Sequence, residues 1–275
     1  MARSFRELES KLKNIDVVIE VADARAPRST RNPDLDKLLE GKKRIIVLNK
    51  EDLADSRITK EWIDHYKEKG EIALSYSVIR SNNTKPILNA IEDASAGLVE
   101  KYKERGVNKI VRVLVCGIPN VGKSALLNKL AGVKKLKEGN KPGVTKGLSW
   151  LKINDYIECM DSPGLLWPKF EDQRVAKTIA LIGSIRQEVL EDDELAYYLI
   201  DLLKDDNREL LTSTYKIDID DEDTTLDILE SIGKKRGYLL RKGEIDLERT
   251  SKSVLDDFKN GRMGVFSFER PHNIR

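Results

Sequence analysis

The most constraining feature of this sequence is a glycine-rich string of eight residues between two regular segments. It runs from Gly117 to Ser124 as GIPNVGKS and matches the pattern G-x-x-x-x-G-K-[ST]. Residues 110–116 before it have the β-branched composition of a buried strand, and residues 123–130 after it have a helical pattern. Such glycines let the backbone approach an anion, and the amides that open the helix bind phosphate. The string therefore predicts a nucleotide-phosphate site.

Each residue type in this string has a defined chemical role. Lys123 would reach the outer phosphates, and the Ser124 hydroxyl would bind Mg²⁺. We expect nucleotide contacts from the backbone and side chains of Gly117, Pro119, Asn120, Val121, Gly122, Lys123, Ser124 and Ala125.

A second motif, Asn49-Lys-Glu-Asp52, directly follows the apolar run 44–48 and matches N-K-x-D. An Asp carboxylate there can accept hydrogen bonds from the ring N–H and the exocyclic amino group of guanine. Adenine lacks this donor pair and would leave the carboxylate unsatisfied. Ser77 and Val78 follow the next predicted strand, where a backbone contact to the base is expected. The predicted base site comprises Asn49, Lys50, Glu51, Asp52, Ser77 and Val78.

A third motif, Asp161-Ser-Pro-Gly164, ends the predicted strand 156–160 and matches D-x-x-G. Asp161 would approach Mg²⁺ through water, and the Gly164 amide would sense the γ-phosphate. Thr145, in the string Lys141–Thr145, is the candidate threonine that closes over Mg²⁺ and the γ-phosphate. The predicted metal ligands are thus Ser124, Thr145 and Asp161, and the predicted catalytic residues are Lys123, Thr145, Gly164 and Asn120.

Strands alternate with helices over the first part of the chain, which predicts a three-layer α/β domain with a mostly parallel sheet over residues 1–168. Residues 148–153 and 156–160 are predicted to pair as a hairpin at its end. Residues 169–275 predict a mainly α-helical domain, with helices at 172–183, 192–204 and 224–236 and a strand at 265–268.

The order of the motifs is unusual. GTPases usually carry the glycine-rich phosphate loop (the P-loop, here Gly117–Ser124) first along the chain. In this sequence N-K-x-D and Ser77-Val78 precede it, as in a circular permutation. With Asp23-Ala-Arg-Ala-Pro27 and the tail Gly264–Pro271, the chain closely resembles the ribosome biogenesis GTPase A family. The resemblance implies a circularly permuted G domain, GTP/GDP and Mg²⁺ as ligands, and an assembly role on the large ribosomal subunit and its rRNA.

The residues that activate water are less evident. Leu165 follows Gly164 where signalling GTPases carry a water-orienting Gln, so we expect slow intrinsic hydrolysis. Asn120 resembles the asparagine with which K⁺-stimulated GTPases hold the cation, and a purely structural Asn is the alternative. The resemblance also implies a catalytic histidine in an N-terminal Pro-Gly-His segment. Neither His65 nor His272 lies at that position.

Charge along the chain is strongly segregated, although the 275 residues carry a net charge of only +2. Residues 101–152 hold 13 basic and two acidic residues, a net charge of +11, and residues 188–230 hold 16 acidic and three basic, a net charge of −13. Residues 232–275 have a net charge of +5. The balance excludes a uniformly basic nucleic-acid coat, while the basic segments either meet a polyanion or form solvated faces.

No apolar run approaches the ~20 residues of a membrane span, and the first residues are charged where a signal peptide is apolar. We therefore expect a cytoplasmic monomer without membrane contact, in which Cys116 and Cys159 are buried core thiols. The predicted function is a GTP-hydrolysing assembly factor for the large ribosomal subunit whose nucleotide state controls rRNA binding. The alternative is a nucleotide-gated RNA-binding scaffold with negligible turnover.

The role of Asp52 in base recognition can be tested by changing its hydrogen-bonding group. Asp52→Asn exchanges a carboxylate for an amide and should shift preference from guanine toward xanthine by about 2 kcal/mol, because a buried polar mismatch costs about that much. Binding of GTP and XTP by the variant measures the shift, and an unchanged ratio would remove Asp52 from the base site.

Overall fold

A six-stranded sheet forms the centre of the first of two units into which the chain divides. The computed structural model describes residues 8–132, 150–167, 170, 172–185, 191–241 and 243–271. The first unit comprises residues 1–171 together with 266–275, and the second comprises residues 172–265. The strands are β1 (Val17–Asp23), β2 (Lys43–Asn49), β3 (Ile72–Tyr76), β4 (Val111–Cys116), β5 (Trp150–Lys152) and β6 (Ile157–Asp161).

The strands lie in the order β3-β2-β1-β4-β6-β5, and only β5 pairs antiparallel among them. The strands can also be numbered from the P-loop strand, so that β4, β5, β6, β1, β2 and β3 become strands 1 to 6. In that numbering the sheet has the order 2-3-1-4-5-6. Strand β1 is buried along its whole length, including Glu20 and Asp23, as its β-branched run predicts for a central parallel strand.

Helices cover both faces of this sheet. They are α1 (8–12), α2 (Pro33–Leu38), α3 (Ser56–Glu68), α4 (Lys85–Lys103) and α5 (Lys123–Leu130). Two apolar clusters pack α1–α3 against alternate strand residues such as Val18 and Ile46. The intervening residues, such as Ile19 and Ile45, are also fully buried. Helix α4 contacts β1, β2 and β3, and α5 contacts β4 and β6. The predicted three-layer α/β architecture is confirmed.

The second unit is helical within the part of the chain that the structure describes. Its helices are α6 (Gln173–Leu181), α7 (Asp192–Asp206), α8 (Arg208–Tyr215), α9 (Thr225–Arg236) and α10 (Leu247–Lys259). Helix α7 packs against each of the other four. Three of these helices match the predicted segments to within three residues at either end.

Helices α8 and α10 are absent from the sequence prediction. The buried face of α10 includes Thr250, Ser251 and Asp257, so polar residues interrupt the apolar periodicity that indicates a helix. Asp257 is tolerated there because Arg236 and Arg262 pair with it. Helix α8 is short and buries only Leu211 and Tyr215.

The prediction was wrong for the end of the chain. Residues 265–268 form no strand, although their pattern alternates, because the amides of Phe266 and Phe268 bind loop carbonyls instead of a neighbouring strand. The predicted assignment of 169–275 to one domain also differs from the structure, since residues 266–271 pack on the first unit. None of the described helices is both long and apolar enough to cross a membrane. Cys116 and Cys159 are buried free thiols.

Candidate nucleotide-binding site

Three of the predicted motifs meet at one edge of the sheet. Asn49 is the last residue of β2 and Asp161 is the last residue of β6, while Gly117 directly follows β4. These strands are parallel, so their carboxyl ends lie at the same edge, where open α/β sheets bind ligands. The first turn of α5 begins at this edge with Lys123.

The glycines of the P-loop are required by its backbone and by its close neighbours. Gly117 and Gly122 have φ values of 139° and 100°, which side-chain-bearing residues rarely adopt. A Cβ on Gly122 would lie 2.2 Å from Asn49 Nδ2, and one on Gly117 would lie 2.3 Å from the Val21 carbonyl oxygen. Asn120 also has a left-handed φ of 62°, which asparagine tolerates better than most residues. The loop is thus held tightly against β1 and β2.

Lys123 is a buried cation at the start of α5. Its Nζ donates a hydrogen bond to the Ile118 carbonyl oxygen at 2.7 Å, and the residue is only 7% exposed. Burial lowers the pKa of Lys123 to about 8, even though Asp161 acts in the opposite direction. An anion placed beside it would restore the charged form.

Ser124 and Asp161 lie where a divalent cation would be held. The Ser124 hydroxyl donates to Asp161 Oδ2 at 2.7 Å, and Asp161 is buried. A hydroxyl and a carboxylate are the oxygen donors that Mg²⁺ prefers. Together with Lys123 and the amides that open α5, they fit a Mg²⁺-bound polyphosphate. Thr145, the third predicted ligand, lies outside the described residues.

The D-x-x-G loop rests on the P-loop. A Cβ on Gly164 would lie 2.8 Å from the backbone of Pro119, so this contact requires glycine. The Leu165 amide donates to the Gly117 carbonyl oxygen at 3.2 Å, and Asn32 Nδ2 donates to the Leu165 carbonyl oxygen at 2.9 Å. The Leu165 side chain is 2% exposed and belongs to the apolar core. It therefore offers nothing that could orient water.

Asn49 joins the base motif to its neighbours. Its Nδ2 donates to the Val121 carbonyl oxygen at 2.7 Å, and its Oδ1 accepts from the Val78 amide at 3.2 Å. The buried Ser77 hydroxyl accepts from the Arg80 amide at 3.1 Å, which closes the following turn. The structure thus links the P-loop with both predicted base-contacting segments.

The remaining N-K-x-D residues form a short 3₁₀ helix (Glu51–Leu53) after Lys50, which has a left-handed φ of 61°. Asp52 Oδ2 lies 3.6 Å from Arg80 Nε. Glu51 is half-buried and lines a shallow cavity beside α3, with Thr59 and Ile63.

A buried ionic cluster supports Lys50. Lys50 Nζ lies 3.0 Å from Asp23 Oδ2, and Arg25 binds both oxygens of the same carboxylate at 2.9 Å. Burial alone would raise the pKa of Asp23, but Arg25 and Lys50 outweigh it and hold the pKa well below its usual range. Burial lowers the pKa of Lys50. The sequence analysis noted the string Asp23–Pro27 but assigned no role to its side chains.

The fold and this arrangement of motifs define a circularly permuted P-loop GTPase. Comparisons with known proteins agree. A family model described as "50S ribosome-binding GTPase" matches residues 112–239. The chain is 41% identical to ribosome biogenesis GTPase A of Bacillus cereus over 275 residues, which is 100% of this chain and 93% of the relative. Identity to the Thermotoga maritima protein of the same name is 30% over 272 residues, covering 99% and 92%.

Two solved structures show the same fold over nearly the whole chain. The GDP-bound structure of TM YlqF has a TM-score of 0.70 and 27% identity, covering 97% of this chain and 100% of that one. The GNP-bound structure of YlqF from T. maritima has a TM-score of 0.68 and 28% identity, covering 98% of each. The chain belongs to the ribosome biogenesis GTPase A family, and it is a GTP-hydrolysing ribosome biogenesis factor.

The lowered pKa of Lys123 predicts that nucleotide binding takes up protons. With a pKa of about 8, Lys123 is half charged at pH 8 in the nucleotide-free protein, and bound phosphates should restore its full charge. Titration calorimetry of GDP binding in two buffers of different ionisation enthalpy should give an uptake of about 0.5 proton at pH 8 and about 0.1 at pH 7. Lys123→Arg is the control, because arginine stays charged at both pH values. Equal uptake by both proteins would exclude Lys123 as its source.

Proposed function

We propose that this GTPase acts on the maturing large ribosomal subunit, binding its rRNA in the GTP state as a cytoplasmic monomer. The observation that carries the proposal is the position of the D-x-x-G motif. Asp161 ends the last strand of the first unit in chain order, and the second unit begins at residue 172. The loop that would sense the γ-phosphate therefore continues into the helical unit, so nucleotide state can act on that unit directly.

A basic surface on the second unit supplies the proposed rRNA contact. Lys234 and Lys235 are exposed in the last turn of α9, and Arg241 is exposed in the loop that follows. Lys242 of the same sequence run lies outside the described residues. Cations in this arrangement bind phosphate without reading sequence.

Arg236 is exposed like its neighbours, but its guanidinium is paired with groups of its own unit. Its Nη2 lies 2.6 Å from Asp257 Oδ2, and its Nη1 donates to Ser253 Oγ at 2.7 Å. Its guanidinium also lies over the Tyr215 ring at 5.0 Å. We therefore assign Arg236 to packing and restrict the proposed rRNA surface to Lys234, Lys235 and Arg241.

The proposed reaction uses groups that bind and orient GTP. Lys123 and the Gly164 amide would stabilise charge on the γ-phosphate, and Ser124, Thr145 and Asp161 would hold Mg²⁺, which neutralises phosphate charge when bound. Because Leu165 is buried, we infer slow turnover by the free protein and stimulation by the ribosomal particle. The same observation favours the second candidate, an RNA-binding scaffold in which turnover is negligible. GTP hydrolysis measured with and without purified large subunits separates the two.

The proposed rRNA surface is tested by a double variant, Lys234→Ala with Lys235→Ala. Each lost phosphate contact should reduce the slope of log K against log salt by about 0.7–0.9, and affinity for large subunits should fall. Binding is measured with a GTP analogue and with GDP over a range of salt concentrations.

The matched control for this pair is Lys67→Ala with Lys69→Ala, which removes the same charge from exposed positions of the first unit. If the control pair and the α9 pair lower affinity and salt slope equally, the effect comes from the loss of net positive charge and the proposed surface is wrong.

A monovalent cation at Asn120 would supply positive charge near the leaving phosphate, so turnover should be faster in K⁺ than in Na⁺ at equal ionic strength. Asn120→Gly should abolish the difference while GDP affinity is largely retained, since glycine adopts the observed φ of 62° without strain. Steady-state hydrolysis by the wild type and the variant in the two salts is the measurement. Equal wild-type rates would leave Asn120 with a structural role only.

A further inference from the structure

The segment 266–270 returns to the first unit after the whole of the second unit, and we call it the strap. It lies along the loop that follows β1 and along the loop between β2 and α3. Its two phenylalanine rings, Phe266 and Phe268, meet edge to face with centroids 5.0 Å apart, and Phe266 is buried. The strap belongs to the first unit although the helical unit precedes it in the chain.

The N-terminal end of the strap binds the backbone just after the N-K-x-D motif. The Phe266 amide donates to the Leu53 carbonyl oxygen at 3.0 Å, and the Asp55 amide donates to Ser267 Oγ at 3.1 Å. Asp52 immediately precedes Leu53 and lies three positions before Asp55. Asp55 in turn caps α3 by accepting from the Arg57 amide at 2.8 Å. The strap thus fixes the backbone on which the Asp52 carboxylate is carried.

The other end of the strap is anchored on the loop after β1. The Glu269 carboxylate accepts from the Arg28 amide at 2.8 Å and from the Ser29 amide at 3.1 Å, and the Ser29 hydroxyl also donates to it. The Glu269 carbonyl oxygen accepts from Trp62 Nε1 at 3.0 Å. Burial raises the pKa of Glu269, while the bonds from Ser29 and the Arg28 amide oppose that shift. Because three donors of one loop meet this carboxylate, Glu269 is the main anchor of the strap.

The C-terminal end of the strap is also linked to Lys50, near the start of the N-K-x-D motif. The Phe268 amide donates to the Arg25 carbonyl oxygen at 2.8 Å. The Arg25 side chain binds Asp23, whose carboxylate also pairs with Lys50 Nζ at 3.0 Å. The strap therefore braces the motif on both sides of Asp52, directly at Leu53 and Asp55 and indirectly at Lys50.

We propose that Ser267 and Glu269 are positioning residues for base recognition, which hold the Asp52 carboxylate where it accepts both guanine donors. The inference rests on the proposed role of Asp52. A recognition carboxylate must stay within about 0.5 Å of its working position, and a single-turn 3₁₀ helix cannot ensure this alone. Because a displaced carboxylate can keep only one of the two guanine donors, loosening the strap should cost GDP a hydrogen bond that a base without the amino group never makes.

Inosine diphosphate isolates this hydrogen bond, because hypoxanthine keeps the ring N–H of guanine and lacks its amino group. Affinities for GDP and IDP should be measured by competition on the full chain. The wild type should prefer GDP, and Ser267→Ala with Glu269→Gln should reduce the preference about tenfold while IDP affinity changes by less than about twofold.

The matched control is Arg270→Ala, on the same segment. Arg270 pairs only with the exposed Glu61 among the contacts described for it, at 3.1 Å, so the GDP preference should not change. A merely structural role for the strap would lower the folded fraction and weaken GDP and IDP binding equally. An unchanged GDP/IDP ratio in the double variant overturns the proposal.

Asp52→Asn separates this proposal from the one on which it depends. If that variant keeps the wild-type GDP/IDP ratio, the base site itself is misplaced, whatever the strap variants do. If the double variant fails to fold, Ser267→Ala alone is used, because it removes a single oxygen from a half-buried position. An unchanged GDP/IDP affinity ratio in this variant then overturns the proposal.

Discussion

The geometry of the whole sheet edge depends on the two hydrogen bonds of the Asn49 side chain. Its amide nitrogen binds the P-loop backbone at Val121, and its oxygen binds the backbone of Val78 after β3. Gly122 must lack a Cβ because Asn49 occupies that space. One short side chain at the end of β2 therefore sets the distance between the P-loop and the loops predicted to contact the base. The phosphate and base regions cannot shift independently while these two hydrogen bonds persist.

Two kinds of buried charge stand out among the residues that the structure describes. Asp23 and Glu20 lie in the sheet core with arginine partners: Arg25 binds Asp23, and Arg31 and Arg44 bind Glu20. Arg25 and Lys50 hold the pKa of Asp23 well below its usual range, whereas burial raises the pKa of Glu20 in spite of its two arginines. Both carboxylates fix the segments that carry their partners. Lys123 is different, since its Nζ is held by a carbonyl oxygen and burial lowers its pKa. An anionic ligand relieves that cost, so part of the binding free energy for a polyphosphate is already built into the P-loop.

The sequence predicted those features that depend on local pattern. Helix α5 (Lys123–Leu130) and the buried parallel strands follow from apolar runs and a glycine-rich turn, and the meeting of the motifs follows from the shared edge of parallel strands. Long-range pairing was not predictable in the same way. Asp257 on the buried face of α10 makes sense only beside Arg236 and Arg262, and burial of Leu165 depends on its neighbours in the fold. Thr145 stays a prediction.

The position of the strap has a consequence for how the protein is made. Asp55 and Ser267 are 212 residues apart in the chain, yet one hydrogen bond joins them. During synthesis, the strands, the P-loop and the helical unit all leave the ribosome before the strap does. The first unit cannot close its last contacts until then, and helical bundles with local contacts fold quickly in the meantime. A nascent chain can thus hold a finished helical unit while the loop after the N-K-x-D motif still lacks its contacts with the strap, so the first unit is completed only after the second.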